Sequence, residues 1–270
     1  ALAPGKKYYW KVIALTNKGE AIPLETAFFT TGFLHETDPI ATGWKAKWIG
    51  YDKASPWDSI TTWSRLSARY LRKEFQNTSQ VKRATVYVAG LGMYELYLNG
   101  KKIGDQVLAP NPTDYRKSLF YNTYDVTAAI EKGNNAIATV LGNGRFFTMR
   151  QNYKTYKINN FGYPKLLLQL EIEYADGTKK IIVSDQSWKL NVDGPIRTNN
   201  EYDGEEYDAR LEQTGWTEPG FDDSHWQPVR RVQAPGGILE AQRMEPIRVT
   251  EIMHPTSLRN PKPGIYVLDM

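Results

Sequence analysis

Apolar and polar residues alternate with a period of two along most of this chain, and turn motifs interrupt the alternation at short intervals. Period two places alternate side chains on opposite faces of a strand, so the pattern predicts many short strands. Tyr8 to Leu15 reads as a strand, TNKGE as a turn, and Glu25 to Thr31 as the partner strand. Ala84 to Ala89 and Tyr94 to Leu98 read as two strands joined by a Gly-Leu-Gly bend. Asn99-Gly100 follows, a dipeptide suited to type I′ hairpins because both central residues take positive φ. Ala136 to Leu141 is a further strand, and LLLQLEIEY, ADG and TKKIIVS form a hairpin ending near Ser184. The one helical pattern, TAAIEKG, predicts one or two turns capped by Asp125 or Thr127 and stopped by Gly133. The expected fold class is all-β, a β-sandwich of the jelly-roll type.

Composition divides the chain into three stretches. In residues 1–36, Leu2, Pro4, Gly5 and Tyr8 resemble the approach to the second-last strand of a fibronectin type III sandwich. Two strands are too few to fold alone, so this stretch reads as the tail of such a domain. The composition changes after Asp38-Pro39, and WKAKWIG opens a sandwich expected over residues 44–235. The Gly-rich APGGILEAQ reads as a linker, and residues 241–270 as the first two strands of a further β-domain, without a partner. The chain begins without Met and in mid-motif, as expected of a piece of a longer protein, so a missing signal peptide leaves export open.

Charge and chemistry narrow the function classes. The net charge of +4, from 34 basic and 30 acidic residues, is scattered along the chain. Nothing resembles a nucleic-acid footprint. No run approaches the roughly 20 apolar residues of a membrane helix. The absence of cysteine excludes disulfides, zinc thiolate sites and thiol nucleophiles. The histidines His35, His225 and His254 are never spaced HxxxH, and no GxSxG accompanies them. Tyr and Trp are abundant, as half-buried strand faces require. Trp44, Trp48, Trp188, Trp216 and Trp226 are expected in the core. Phe146, Phe147, Tyr153 and Tyr156, in the irregular stretch after LGNGR, are expected as exposed platforms.

The densest cluster of carboxylates is EYDGEEYDAR, residues 201–210. A glycosidase needs two carboxyl groups facing each other across a bond. Along an extended strand Glu206 and Asp208 share a face while Glu205 points away, so neighbours in one strand do not supply that geometry. The cluster therefore reads as structural, with a turn at Asp203-Gly204 and a bidentate bond from Arg210 to Asp208.

Longer motifs carry a resemblance. VYVAGLGMYELYLNGKKIGDQVLAPNPTDYRKSLFYNTYDVTAAIEKGNNAIATVLGNGRFF is similar to the accessory, galactose-binding-like jelly roll of bacterial α-L-rhamnosidases, with its GxGxYExxxNGxxVGD, YxTYDVT and LGxG elements. DGEEYDARLEQTGWTEPGFDDSHWQPV resembles the DGExYDAR and GWxxxxFDDSxW elements of the same family, and PIRVTE the start of its next β-domain. The resemblance implies an inverting hydrolase of terminal α-L-rhamnosides whose catalytic residues sit on a downstream (α/α)6 barrel, with no catalytic residue in this stretch. It implies export and contact with rhamnose-containing glycans. A stand-alone adhesion or interaction sandwich is the alternative. The expected carbohydrate contacts are Asn99, Asn143, Arg145, Phe146 and Tyr153. Two positions depart from the family, Asn111-Pro112 and Arg145, and each lacks the ring found there. No cofactor or metal site is expected from the residues themselves. Some jelly rolls of the family hold calcium beside a rhamnose, which makes Asn99, Asp105, Asn143 and Asp203 candidate ligands, although each reads first as a turn or cap residue.

Overall fold

The computed structural model describes residues 2–33, 43–59, 65–147, 161–201 and 204–270. Strands dominate from end to end, as the alternation predicts. The first two hairpin arms are interrupted where the sequence reading had continuous strands. β1 (Lys7–Trp10) pairs with β4 (Ala27–Thr30), and β2 (Ile13–Leu15) with β3 (Ala21–Pro23), all antiparallel. Tyr8 stacks on Phe29 at 5.5 Å. The base of this hairpin clings to the body of the molecule. Arg83 donates to the Gly5 carbonyl at 3.0 Å, and Phe33 lies 4.2 Å from the Tyr87 ring.

The body is two sheets face to face. In chain order its strands are β5 (Ile49–Gly50), β6 (Arg69–Asn77), β7 (Val81–Leu91), β8 (Met93–Leu98), β9 (Lys101–Lys102), β10 (Ser118–Asp125) and β11 (Gly133–Gly142). They continue with β12 (Lys165–Tyr174), β13 (Lys179–Val183) and β14 (Lys189–Asn191), then a separate hairpin of β15 (Ile196–Asn200) and β16 (Gly204–Tyr207). Two-residue strands β17 (Gln227–Pro228) and β18 (Arg230–Arg231) and the four-residue β19 (Ile238–Ala241) complete them. One sheet has the order β18-β5-β12-β7-β10-β19, with β13 on β12; the other runs β17-β14-β6-β11-β8-β9.

The core lies between the sheets because each strand turns every second residue inward. In β8 the inward residues are Tyr94, Leu96 and Leu98, while Met93, Glu95 and Tyr97 face out. Leu166, Leu168, Leu170 and Ile172 of β12 meet them from the other sheet, with Trp188 fully buried among them. β7 is buried on both faces, since Tyr87 and Ala89 are covered by Phe33, Trp44 and Trp48. Buried polar groups in this cover are matched. Lys45 N–H donates to Gln169 Oε1 at 2.7 Å, and Ser184 Oγ donates to the Lys47 carbonyl at the same distance.

The turns form as their residues demand. Asn99 and Gly100 have φ of 50° and 80°, the type I′ pair, between β8 and β9. Gly92 closes the bend between β7 and β8 at φ 119°, where a Cβ would stand 2.1 Å from the Gly142 carbonyl oxygen. The TAAIEKG segment yields a single 3-10 turn, Thr127–Ala129, with Thr127 N–H donating to Asp125 Oδ1.

Two findings amend the sequence reading at the C-terminal end. ILEA, taken as part of a linker, is β19, paired parallel with β10 from Ser118↔Ile238 to Tyr121↔Ala241. PIRVTE is also tied to the sandwich, through Val107 N–H to the Ile247 carbonyl and an Arg248–Asp105 ion pair at 2.7 Å. Beyond it, Ser257–Lys262 and Ile265–Asp269 form strands β20 and β21, which pair with each other as an exposed hairpin.

Candidate functional site: a cleft on the outer face of the smaller sheet

The outward side chains of β6, β8, β11 and β14 are not left bare. The β15–β16 hairpin and the 212–217 segment rise over them and enclose a cleft of about 1020 Å3. Tyr70, Val140, Met93, Glu95 and Tyr97 line it from the sheet, Asn199 and Glu205 from the hairpin, and Trp216 from the segment. Trp216 meets Tyr70 edge-on at 5.2 Å and Tyr97 at 5.9 Å, so three rings form one continuous aromatic surface.

Burial sets the protonation of these groups. Desolvation raises the Tyr70 hydroxyl to about 12, and desolvation with the Glu95 bond raises that of Tyr97. Burial pushes the Glu95 carboxyl up, but bonds from Lys102 at 2.5 Å and Tyr97 at 2.6 Å outweigh it and hold it below the usual range. Glu95 is therefore an ionised acceptor at neutral pH, and Tyr97 a donor committed to it.

The 212–217 segment is held by one buried cation. Arg72, 1% exposed, donates Nε to the Trp216 carbonyl and Nη2 to those of Glu218 and, as an ion pair, to Glu74. Its Nη1 bonds the Asp223 carboxylate. Gly100 N–H adds a bond to the Thr217 carbonyl.

Within the acidic stretch, the bidentate bond read between Arg210 and Asp208 forms. Arg210 binds Asp208 through two donors, at 2.8 and 2.6 Å, and Glu206 pairs with Arg65. The Arg210 bonds draw the Asp208 pKa down to about 2. A group so depressed in the folded state contributes stability above its unfolded pKa of roughly 3.9, lost as pH falls through about 2. NMR titration should place the Asp208 carboxyl midpoint near 2, and Arg210→Ala should return it to the ordinary range. Glu201 and Glu205 instead line the cleft. Asp203 and its turn lie outside the described residues.

The sequence-predicted contacts are not brought together. The Asn99 side chain is consumed in its turn, donating to the Ala129 carbonyl and Asn135 Oδ1 and accepting from Ala136 N–H. Phe146 is fully buried against Tyr115 and Phe161, at 5.0 and 5.9 Å, so it offers no platform. Phe147 is likewise buried, beside Tyr163. Asn143 is 2% exposed and bridges to the Leu66 and Asn199 carbonyls. Arg145 is exposed at the end of the cleft, 3.9 Å from Glu201. Tyr153 and Tyr156 lie outside the described residues. Of the calcium candidates, Asp105 is engaged by Arg248, and no group of three or more metal-ligating side chains occurs among the described residues. Trp188 and Trp226 are buried as expected, and Trp44 and Trp48 are partly so; Trp216 is the exception, facing the cleft. Sequence reasoning missed the cleft because Tyr70, Tyr97 and Trp216 look like core residues. The available signal was the outward register of Met93, Glu95 and Tyr97 within MYELYL.

Comparison with known proteins identifies the family. The α-L-rhamnosidase N-terminal domain model matches residues 79–251. The chain belongs to the α-L-rhamnosidase N-terminal domain family. An α-L-rhamnosidase of Streptomyces avermitilis is 40% identical over 240 residues, covering 87% of this chain and 23% of that protein. One from Formosa agariphila is 31% identical, over 99% of this chain and 29% of its own length. The solved α-L-rhamnosidase structure from Dictyoglumus thermophilum superposes with a TM-score of 0.85 at 41% identity, covering 99% of this chain and 30% of that one. The chain thus spans between a fifth and a third of the length of these relatives. In this N-terminal domain family member, strands β7 to β19, the cleft and the Arg72 anchorage all fall within the matched residues or touch them.

Proposed function

We propose that this chain is a non-catalytic accessory part of an exported α-L-rhamnosidase, an inverting hydrolase of terminal α-L-rhamnosides. The catalytic carboxylates would sit on an (α/α)6 domain elsewhere in the same protein. The observation that carries this reading is the coverage. Nearly the whole chain aligns with α-L-rhamnosidases, yet it accounts for only 23–30% of their length. The chemistry agrees, since the acidic stretch spends Glu206 and Asp208 on arginines. Inversion requires two carboxyl groups about 6.5–9.5 Å apart around a water. The stand-alone adhesion reading has no such support.

The accessory role includes holding rhamnose-containing glycan in the cleft. Trp216, Tyr97 and Tyr70 supply an aromatic wall for the apolar face and C6 methyl of a 6-deoxy sugar, and Glu95 and Glu205 accept from its hydroxyls. Arg145, 3.9 Å from the cleft residue Glu201, marks one end of this site, and Asn143 is enclosed behind it. Asn99 and Phe146 have no part in it, because their side chains are enclosed by the fold.

An aryl α-L-rhamnoside tests the first half of the proposal. The full-length protein should hydrolyse it and the 270-residue chain should not. Turnover by the chain that Glu206→Gln abolishes would refute the accessory assignment. L-Rhamnose tests the second half, with binding expected in the millimolar range, about −4 kcal/mol. Shifts should appear at the Trp216 indole and the Asn199 amide. Their absence at saturating sugar would leave the domain purely supportive.

A further inference from the structure

We propose that the cleft selects uncharged glycans and rejects those carrying carboxylate or sulfate groups. This rests on the reading that glycan is held in the cleft. Among the described residues that line it are four carboxylates, Glu95, Glu201, Glu205 and Glu212, and no Lys, Arg or His. The imbalance is local, since the chain as a whole carries +4.

Two of the four are offset from the rim. Lys102 binds Glu95, and Arg145 stands 3.9 Å from Glu201. The other two have no cationic partner among the described residues. Glu212 accepts only the Tyr207 hydroxyl, at 2.6 Å, and Glu205 is exposed to the cleft. Carboxylates accept hydrogen bonds and donate none, so this lining suits hydroxyl donors and opposes a second anion. The rest of the wall is uncharged, with the rings of Trp216, Tyr97 and Tyr70 beside the neutral polar residues Asn199, Gln213 and Thr214.

Two uncompensated carboxylates within about 6 Å of a ligand anion should weaken its binding about tenfold in a water-filled cleft. Salt should erase the penalty, because the screening length shrinks from about 10 Å at 0.1 M to about 3 Å at 1 M.

The test uses two disaccharides that differ in one group: an α-L-rhamnosyl glucoside and the same compound with the glucose C6 oxidised to a carboxylate. Each is titrated into the chain at low salt and at about 0.5 M salt, followed at the Trp216 indole and Asn199 amide signals. The neutral compound should bind about tenfold more tightly at low salt, with the difference falling below about twofold at high salt. Glu205→Gln combined with Glu212→Gln, both at exposed positions, should close the gap at low salt. Equal binding of the two compounds at low salt, or tighter binding of the acid, overturns the selectivity while leaving the cleft a glycan site. Failure of both compounds to shift either signal overturns the selectivity together with the reading beneath it.

Discussion

Arg72→Met will cost the folded state about 2–4 kcal/mol, since it strips a buried charged donor from two backbone carbonyls and from two carboxylates that are themselves partly exposed. The guanidinium is 1% exposed and donates to the Trp216 and Glu218 carbonyls and to two carboxylates, Glu74 and Asp223. Methionine fills much of the volume and satisfies none of these acceptors, so the loss is electrostatic and polar. Arg72→Lys keeps the charge but cannot reproduce the planar fork, and should lose less. Urea unfolding of the three proteins gives the comparison directly. A midpoint for the Met variant within error of the parent would mean that the 212–217 segment stands without Arg72. A second readout separates position from stability. If Arg72 holds the Trp216 wall, both variants should move the Trp216 indole signal under conditions where they remain folded.

Trp188→Ala is the other large effect expected, about 3–5 kcal/mol, here from lost contact area and the cavity left behind. Trp188 is fully buried between the sheets, and its indole N–H donates to the Val183 carbonyl at 2.9 Å. Trp188→Phe restores part of the volume but leaves that carbonyl unpaired, a cost of about 1–3 kcal/mol. The order parent, Phe, Ala in thermal midpoint therefore measures packing against polar satisfaction at one site. A Phe variant as damaged as the Ala variant would assign the loss to the hydrogen bond.

The features read correctly from sequence are those fixed by neighbours in the chain. Asn99-Gly100, the Asp176-Gly177 turn between β12 and β13, and the Arg210–Asp208 pair each depend on a few consecutive residues. So does the alternation that placed the strands. What was misread depends on residues far away. Asn99 is enclosed by Ala129, Asn135 and Ala136, partners that no local pattern can reveal. Phe146 sits in an irregular stretch that looks exposed, and it is buried because Tyr115 and Phe161 come back to meet it. β19 is four residues long, too short for a period of two to register, and its partner β10 lies more than a hundred residues earlier. The cleft follows the same rule. Its floor was legible as the outer face of β8, but its roof comes from residues 194–201 and 204–217 folding over that face, a tertiary event with no signature in either segment.

The parallel pairing of β19 with β10 has a mechanical consequence. Both strands run the same way, so a pull on the chain leaving Ala241 along that direction loads the bonds between them together, in shear, instead of peeling them one by one. Gln242 N–H to the Tyr121 carbonyl, the Ile247 carbonyl bond and the Arg248–Asp105 pair extend the seam past the strand itself. Whatever is joined after residue 248 is thereby mounted on a stiff strut and not on a swivel. Motion of that neighbour relative to the cleft would have to originate beyond Arg248.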